Sequence, residues 1–453
     1  MRQHFSPPLG IMSIGAYLRQ NMPDGELKLI DMVPHGLSVD ETAEKVKGFG
    51  PDIIGLSAMS LEASELAAVA AEVKKRMPDV PVIAGGPHPS TNPIKVLADT
   101  NIDYIVKGEG EHSTLELVNA LADGGEVESI KGIGFRKDGE PFMTEPREEI
   151  VDLDSLPLPA YDLVDLPKYW ELPRFGTVFA NKTYAALSTS RACPYRCTYC
   201  HRIFGTKYRA QSADTVLRDL EELYHKHGVR EIIFVDDCFN LDKKRVAAIC
   251  DGMKERGLKF SISFPNGLRG DIMDEATLEK LKEAGTYRIT YAIETASPRV
   301  QEFIKKNVKL DKLKEMISLT DKKNILVDGF FMVGFPGEKR EEVDLTLSYA
   351  IESRLHTANF WFVTPFAGTE LFEQAAAMGL TVTEDTETLH YFDPTTDMSE
   401  VPAEELKKKV QRTFLKFYLN PWRIWRIFRL FPNKGMLPSL FLRFLRISAT
   451  WRS

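Results

Sequence analysis

Two runs of strand–helix alternation, separated by a stretch that has neither period, limit what this chain can fold into more than any other feature. From about residue 179, short apolar runs at Ala185–Thr189, Glu231–Asp237, Phe260–Asn266, Tyr287–Glu294, Val327–Gly334 and Ala358–Thr364 predict buried parallel strands. Helical patterns fall between them at Ala213–His227, Asp242–Glu255, Asp274–Ala284 and Arg340–Glu352. Six such units are too few to close an eight-fold barrel, so a partial (β/α)6 barrel is expected, with functional residues where strands end and loops begin. An earlier run, at Leu27–Asp31, Ile53–Ser57, Val82–Ala84 and Tyr104–Val106 with a helix over Leu61–Met77, predicts a doubly wound, Rossmann-like α/β domain. That run opens Met1-Arg-Gln-His-Phe-Ser-Pro-Pro in loop-like sequence, so its first strand is expected to be missing. The resulting division is 1–130, a hairpin and linker over 131–178, a barrel over 179–375 and a helical, basic and aromatic region over 376–453.

Composition adds a compartment and an asymmetry. No segment reads as a signal peptide or a membrane span, which predicts a cytoplasmic protein. Five cysteines are too few and too clustered for a disulfide framework, and point to metal or redox chemistry. The net charge is −7, yet no acidic residue follows Glu405, where twelve lysines and arginines lie. A tail so unlike its body predicts a separate task or partner.

The most informative cysteines are Cys193, Cys197 and Cys200, in Arg191-Ala-Cys-Pro-Tyr-Arg-Cys-Thr-Tyr-Cys-His201 just past the first barrel strand. Three thiolates spaced C-x3-C-x2-C can hold a cubane and leave its fourth iron without a protein ligand. A zinc knuckle completed by His201 is the alternative, though zinc sites more often pair two C-x2-C halves. Cys238 and Cys250 have no motif partner and read as buried thiols.

This motif resembles that of radical S-adenosylmethionine enzymes. The resemblance implies a 4Fe–4S cluster on the three cysteines, S-adenosylmethionine on the open iron, and reductive cleavage to a 5′-deoxyadenosyl radical. It places Tyr199 near the adenine. It makes Asp236 and Asp237 candidates to face the cofactor's amine, although two acids ending a strand could also cap the next helix. Arg269 and Asp271 follow the third strand. Glu294 in Tyr291-Ala-Ile-Glu-Thr-Ala-Ser-Pro matches a cofactor-binding position, alongside Ser297 or Arg299. Gly334 and Gly337 in Phe331-Met-Val-Gly-Phe-Pro-Gly-Glu338 match a glycine turn that lets backbone approach a ligand. Thr364-Pro-Phe-Ala-Gly-Thr369 matches the segment ending the barrel.

The N-terminal region resembles the cobalamin-binding domain fused to radical enzymes of the anaerobic magnesium-protoporphyrin ester cyclase branch. Phe5-Ser-Pro-Pro-Leu-Gly10, Ser57, Ser60, Gly85, Gly86 and Gly108 carry the likeness, at strand ends where glycines admit a large ligand. No D-x-H-x-x-G axial motif is present; His35 reads as a loop histidine, and His88 as a neighbour of the corrin at most. A domain that binds nothing and only packs is the competing reading.

What the resemblance implies is cobalamin-dependent methyl transfer to an unactivated carbon, with oxidative cyclisation of a tetrapyrrole-like substrate as runner-up. A methylthiotransferase would need three further cysteines and an RNA-binding barrel, which the sequence lacks. A non-catalytic iron–sulfur or zinc protein is the alternative of another class. Expected partners are a small molecule, lipid- or tetrapyrrole-like, and an electron donor such as flavodoxin or ferredoxin. The tail, with helical pattern at Leu406–Phe417, at Asn420–Pro432 and again at Leu437–Ile447, interleaves Trp422, Trp425 and Phe428 with Arg423, Arg426 and Arg429. It predicts peripheral contact with the inner face of the membrane, or packing onto the acidic body, ahead of nucleic acid.

Overall fold

Apolar runs become strands only where a neighbour takes up their hydrogen bonds, and that condition decides which of the expected strands form. The computed structural model describes residues 6–172, 178–382 and 397–438. They fall into two units, the first made of residues 6–172 and 202–205 and the second of the remaining described residues. The first five residues of the chain, and the Leu437–Ile447 repeat from residue 439 onward, lie outside the described residues.

In the first unit β1 (Ile54–Ser57), β2 (Val82–Gly85) and β3 (Tyr104–Val106) pair in parallel. The hairpin β4 (Ile133–Lys137) and β5 (Glu140–Met143) extends the same sheet in antiparallel sense. The order β1-β2-β3-β4-β5 is sequential, without reversal. The helix Ala63–Arg76 buries Leu66, Val69, Ala70 and Val73, a three-and-four spacing that lays one apolar stripe against Val82, Ala84 and Ile105.

The strand expected at Leu27–Asp31 is corrected. That segment joins no ladder. Its last residue, Asp31, accepts from the Val33 N–H, caps the short helix Met32–His35 and takes a hydrogen bond from the Tyr169 hydroxyl. Neither Leu27 nor Leu29 is fully buried, so the segment lacks the two covered faces of a central parallel strand.

The second unit holds β6 (Tyr184–Leu187), a two-residue antiparallel pair β7 (Ser190–Arg191) and β8 (Arg209–Ala210), then β9 (Glu231–Phe234), β10 (Ser261–Leu268), β11 (Thr286–Glu294), β12 (Leu326–Val333) and β13 (Thr357–Phe362). Six of these form one open parallel sheet in the order β6-β9-β10-β11-β12-β13. A sheet of this order, with every crossover carrying helix, puts all its carboxyl ends on one rim. Its core stacks Phe234 on Phe264, ring centroids 5.4 Å apart and 13° from parallel.

Side-chain caps start the crossover helices. Ser212 accepts from Thr215 N–H, Asp242 from Arg245 N–H and Asp274 from Thr277 N–H, each satisfying an otherwise orphaned donor. The helix Ala403–Tyr418 follows, packed through Leu406, Val410 and Phe417, with the Tyr418 hydroxyl bonded to the Ala358 backbone. The last described helix, Pro421–Leu430, turns Arg423 and Arg426 inward and leaves Trp422, Trp425 and Phe428 outward. No described helix is long and apolar enough to cross a membrane.

Candidate active site

The rim at the carboxyl ends of the second unit's strands gathers most of the chemistry-bearing residues singled out from sequence. The cysteine loop leaves β7 through Ala192, whose φ of 67° turns the chain sharply. Thr198 N–H donates to the Ile304 carbonyl and Leu371 N–H donates to the Thr198 carbonyl, so the middle of the loop is held from two sides. Cys197 is buried, Cys193 half-buried and Cys200 exposed.

The thiols associate in two pairs. Cys193 bonds with Cys238, which holds its thiol down to about 7, and Cys197 bonds with Cys200, which holds its thiol down to about 6. Their partners Cys238 and Cys200 are pushed up, by those same bonds and then by burial. Cys250 is buried apart from these, and burial raises its thiol to about 12. Cys238 is thus buried, as expected, but is not without a partner. Among the described residues no three His, Cys, Asp or Glu side chains converge as a single ion requires. A cubane takes each thiolate on a different iron. Three soft thiol donors on one loop, two of them already disposed to ionise, are the donor set it requires. His201, the fourth ligand a zinc knuckle would need, hydrogen-bonds the Ala367 carbonyl.

Next to this loop lies a buried polar cluster. The Tyr199 hydroxyl donates to Glu294 Oε1 at 3.1 Å, and Lys306 Nζ donates to both, at 3.1 Å to Glu294 and 3.2 Å to Tyr199. Glu294 ends β11 with φ of 65°, after a register shift against β12 between Ala292 and Glu294. A left-handed glutamate at a strand end is strained, and such strain persists only where its surroundings over-determine it. Burial opposes the charge on Lys306, but Glu294 and the nearby thiols outweigh it and raise the ammonium's pKa. Tyr199 is pushed up, first by burial and then by Glu294.

Lys306 escaped the reading of the sequence. It sits between two further left-handed residues, Lys305 (φ 54°) and Asn307 (φ 50°). Arg269 holds that turn by donating to the Lys306 and Asn307 carbonyls, while its guanidinium pairs with Asp271 at 2.9 Å and lies 3.6 Å over the Tyr195 ring. Arg269 and Asp271, expected at the strand end, therefore tie the cysteine loop to the lysine turn. A pair of left-handed non-glycine residues flanking a lysine leaves no mark in sequence periodicity.

The remaining residues divide. Asp236 Oδ1 accepts from the Thr189 N–H, the Thr189 hydroxyl and the Ser190 hydroxyl, while its buried Oδ2 has no partner; burial raises its pKa against those three bonds. Asp237 is exposed, and desolvation followed by Asp236 raises it. Neither caps the next helix, a task that belongs to Asp242. Ser297 caps the helix Pro298–Phe303 and donates to Glu342, which also pairs with Arg299, so both side chains are committed within the protein. Gly334 and Gly337 adopt φ of 91° and 64°, and the turn is closed by Glu338, whose Oε2 accepts from Gly334 and Phe335 N–H.

In the first unit the expected residues lie at the carboxyl ends of β1, β2 and β3. Ser57 pairs in register with Gly85 and is exposed. Gly86 has φ of 89°, and a Cβ there would meet Ser57 Oγ at 2.7 Å and the Ala58 carbonyl at 3.2 Å. Only glycine lets these two turns close on each other. Gly108 N–H donates to Ser90 Oγ, and Ser60 opens a short 3-10 turn. His88 is buried beside them; its N–H donates to the Ala58 carbonyl, and its Nδ1 has no partner. Burial lowers its pKa, favouring the neutral ring. Exposed strand ends and bare glycine backbone fit a large ligand approaching that edge. His35 is the last residue of the capped helix after Asp31.

Comparison with known proteins agrees with this division. Residues 187–350 match the family model of the radical SAM superfamily, and residues 2–118 match that of the B12 binding domain. An uncharacterized methyltransferase of Pyrococcus horikoshii is 33% identical over 92% of this chain and 88% of its own length. The anaerobic magnesium-protoporphyrin IX monomethyl ester cyclase of Rubrivivax gelatinosus is 26% identical over 91% of this chain and 74% of its own length. Among solved structures, the cobalamin-dependent S-adenosylmethionine radical enzyme OxsB, with aqua-cobalamin and S-adenosylmethionine bound, covers 98% of this chain and 73% of its own with a TM-score of 0.73 at 17% identity.

Proposed function

The chain belongs to the radical SAM superfamily, in the branch with a B12 binding domain ahead of the radical SAM domain, and on that footing we propose that it methylates an unactivated carbon of a small-molecule substrate. Its cofactors are a 4Fe–4S cluster, S-adenosylmethionine and cobalamin; when bound, they supply the radical that removes hydrogen and the methyl group that replaces it.

The observation that carries the reading is the loop of Cys193, Cys197 and Cys200 set against the Tyr199–Glu294–Lys306 cluster. Three thiolates hold a cubane and leave one iron for an outside ligand. S-adenosylmethionine brings an ammonium, a carboxylate and ribose hydroxyls. The Glu294 carboxylate suits the cation or the hydroxyls, and the Lys306 ammonium suits the carboxylate. Asp236 Oδ2, buried and unpartnered, is a further acceptor on the same rim. Tyr199 orients Glu294 and offers its ring face to the adenine. Gly334 and Gly337 keep the neighbouring turn free of side chains. At the first unit's edge Ser57, Ser60, Gly85, Gly86 and Gly108 receive the cobalamin, its approach permitted by the glycine backbone.

An external one-electron donor of the flavodoxin or ferredoxin type reduces the cluster. The similarity to the Rubrivivax cyclase supports a second reading, oxidative cyclisation of a tetrapyrrole-like substrate, which would use the same residues. The methyl-transfer reading is favoured because a methyltransferase aligns over 92% of the chain at higher identity.

The test is anaerobic reconstitution with iron, sulfide and cobalamin, followed by S-adenosylmethionine labelled in its methyl group. Label found on the protein-bound cobalamin, and then on a substrate drawn from the gene's neighbouring pathway, is the expected result. Cobalamin that binds but never acquires label would refute methyl transfer and leave the cyclase reading.

A further inference from the structure

The helix Pro421–Leu430 buries two arginines and leaves its aromatic rings in water, while Ile427 and Leu430 pack inward beside the arginines. An amphipathic surface helix ordinarily buries its apolar face and leaves its cations in water. Here Arg423 and Arg426 are 3% and 4% exposed, whereas Trp422, Trp425 and Phe428 are 60%, 48% and 51% exposed.

The chemistry beneath the helix explains the orientation and fixes it. Arg423 donates to the carbonyls of Leu355, Phe417, Ile351 and Ser353, and its guanidinium lies 3.6 Å over the Phe417 ring. Arg426 pairs with Asp321 at 2.8 Å and donates to the Arg354 carbonyl. Asp321 is also bonded to His356 and Arg354. A buried guanidinium is tolerated only when its donors are so completely taken up. Rotating the helix to hide its tryptophans would strip both arginines and leave Asp321 and five carbonyls short of donors.

The outward face is therefore a built feature. Trp422 and Trp425 stack, centroids 4.9 Å apart and 16° from parallel. Cations border them: Arg429 lies 5.3 Å over Trp425 and Lys434 lies 5.1 Å over Phe428. Lys416 is exposed on the preceding helix, and the sequence carries no acid after Glu405. Aromatic rings at the surface with long cations at their edges match the boundary of a bilayer, where rings sit among headgroups and cations meet phosphate. A second copy of the chain fits poorly, because a two-fold contact through this face would oppose Arg429 and Lys434 to their own equivalents.

We propose that the Trp422–Trp425–Phe428 face docks the protein onto an anionic lipid surface, with Arg429, Lys434 and Lys416 as its electrostatic rim and Arg423 and Arg426 as the internal pins that present it. This goes beyond the methyl-transfer reading and stands independently of it.

The test uses the full chain with vesicles of phosphatidylcholine alone and of phosphatidylcholine mixed with phosphatidylglycerol. Co-sedimentation with the mixed vesicles, weakening as salt is added, and a blue shift of tryptophan emission are expected. The Trp422→Ser/Trp425→Ser variant should lose about tenfold or more in partitioning, while its thermal unfolding stays unchanged because both side chains face outward. Trp422→Phe/Trp425→Phe should retain most of the binding. The proposal is overturned if the parent chain ignores the mixed vesicles, or if the serine variant binds them equally. It is also overturned if the serine variant unfolds at lower temperature, or if the parent is a dimer that the variant dissociates, since the face would then be packing or an interface between copies.

Discussion

Removing the ammonium of Lys306 is the perturbation that bears most directly on the polar cluster beside the cysteine loop. Lys306 and Glu294 are 12% and 8% exposed in their side chains and lie 3.1 Å apart. At an effective dielectric near 20, two unit charges at that distance attract by about 5 kcal/mol. Desolvation offsets much of this when both charges are present, but removing one partner leaves the other buried and unpaired, at a cost of roughly 3–5 kcal/mol. Lys306→Met should therefore be strongly destabilising, and Glu294→Gln likewise. The double variant should recover part of the loss, because an amide facing a thioether leaves no buried charge. A double-mutant cycle by urea unfolding under anaerobic conditions reads the coupling directly, with about 2 kcal/mol or more expected. A coupling below about 0.5 kcal/mol would refute the pairing and return Lys306 to an ordinary solvated lysine.

Gly86→Ala places a Cβ against Ser57 Oγ and the Ala58 backbone at a φ of 89°; a cost of about 1–3 kcal/mol in stability and loss of cobalamin through gel filtration are expected, and unchanged retention would exclude this turn from the cobalamin edge. Burial pushes the Glu338 carboxyl up to about 7. Its folded state thus prefers the proton, and its contribution is full below the unfolded pKa near 4.5 and lost as pH rises to 7. Glu338→Gln should flatten the stability profile over that window by up to about 3 kcal/mol, and an unaltered slope would show the group titrates normally. Arg423→Lys cannot reach the four carbonyls its guanidinium serves; a loss of about 2–4 kcal/mol and earlier proteolysis within the last helix are expected, and a native melting curve would show the pin is dispensable.

How much of the fold and the site is legible in the sequence varies with the kind of force involved. The parallel strands of the second unit are legible because both faces are buried, and an uninterrupted apolar run such as Ile232–Phe234 has few other fates. Leu27–Asp31 carries the same local signal and forms no strand, because a ladder depends on a partner that local sequence does not specify. The three cysteines are legible because all three ligands of this site lie on one short loop, so their spacing is visible in the sequence. Lys306 is not, since its role arises from two left-handed neighbours and from Arg269, which reaches its carbonyl from 37 residues away. Ser297 and Arg299 show the converse: both sit where cofactor contacts are expected, and Glu342 takes both. In the tail the helical period was readable, but which side faces inward was decided by Asp321 and by free carbonyls at the end of the helix Arg340–Glu352.

That Cys193, Cys197 and Cys200 hold a 4Fe–4S cluster with one iron open to S-adenosylmethionine can be read from Mössbauer spectroscopy of the protein reconstituted with enriched iron. The expected spectrum is that of a cubane in which a single iron site changes its isomer shift when S-adenosylmethionine is added, with the full cluster lost in Cys197→Ala. A spectrum indifferent to S-adenosylmethionine, or an intact cubane in the alanine variant, would contradict it.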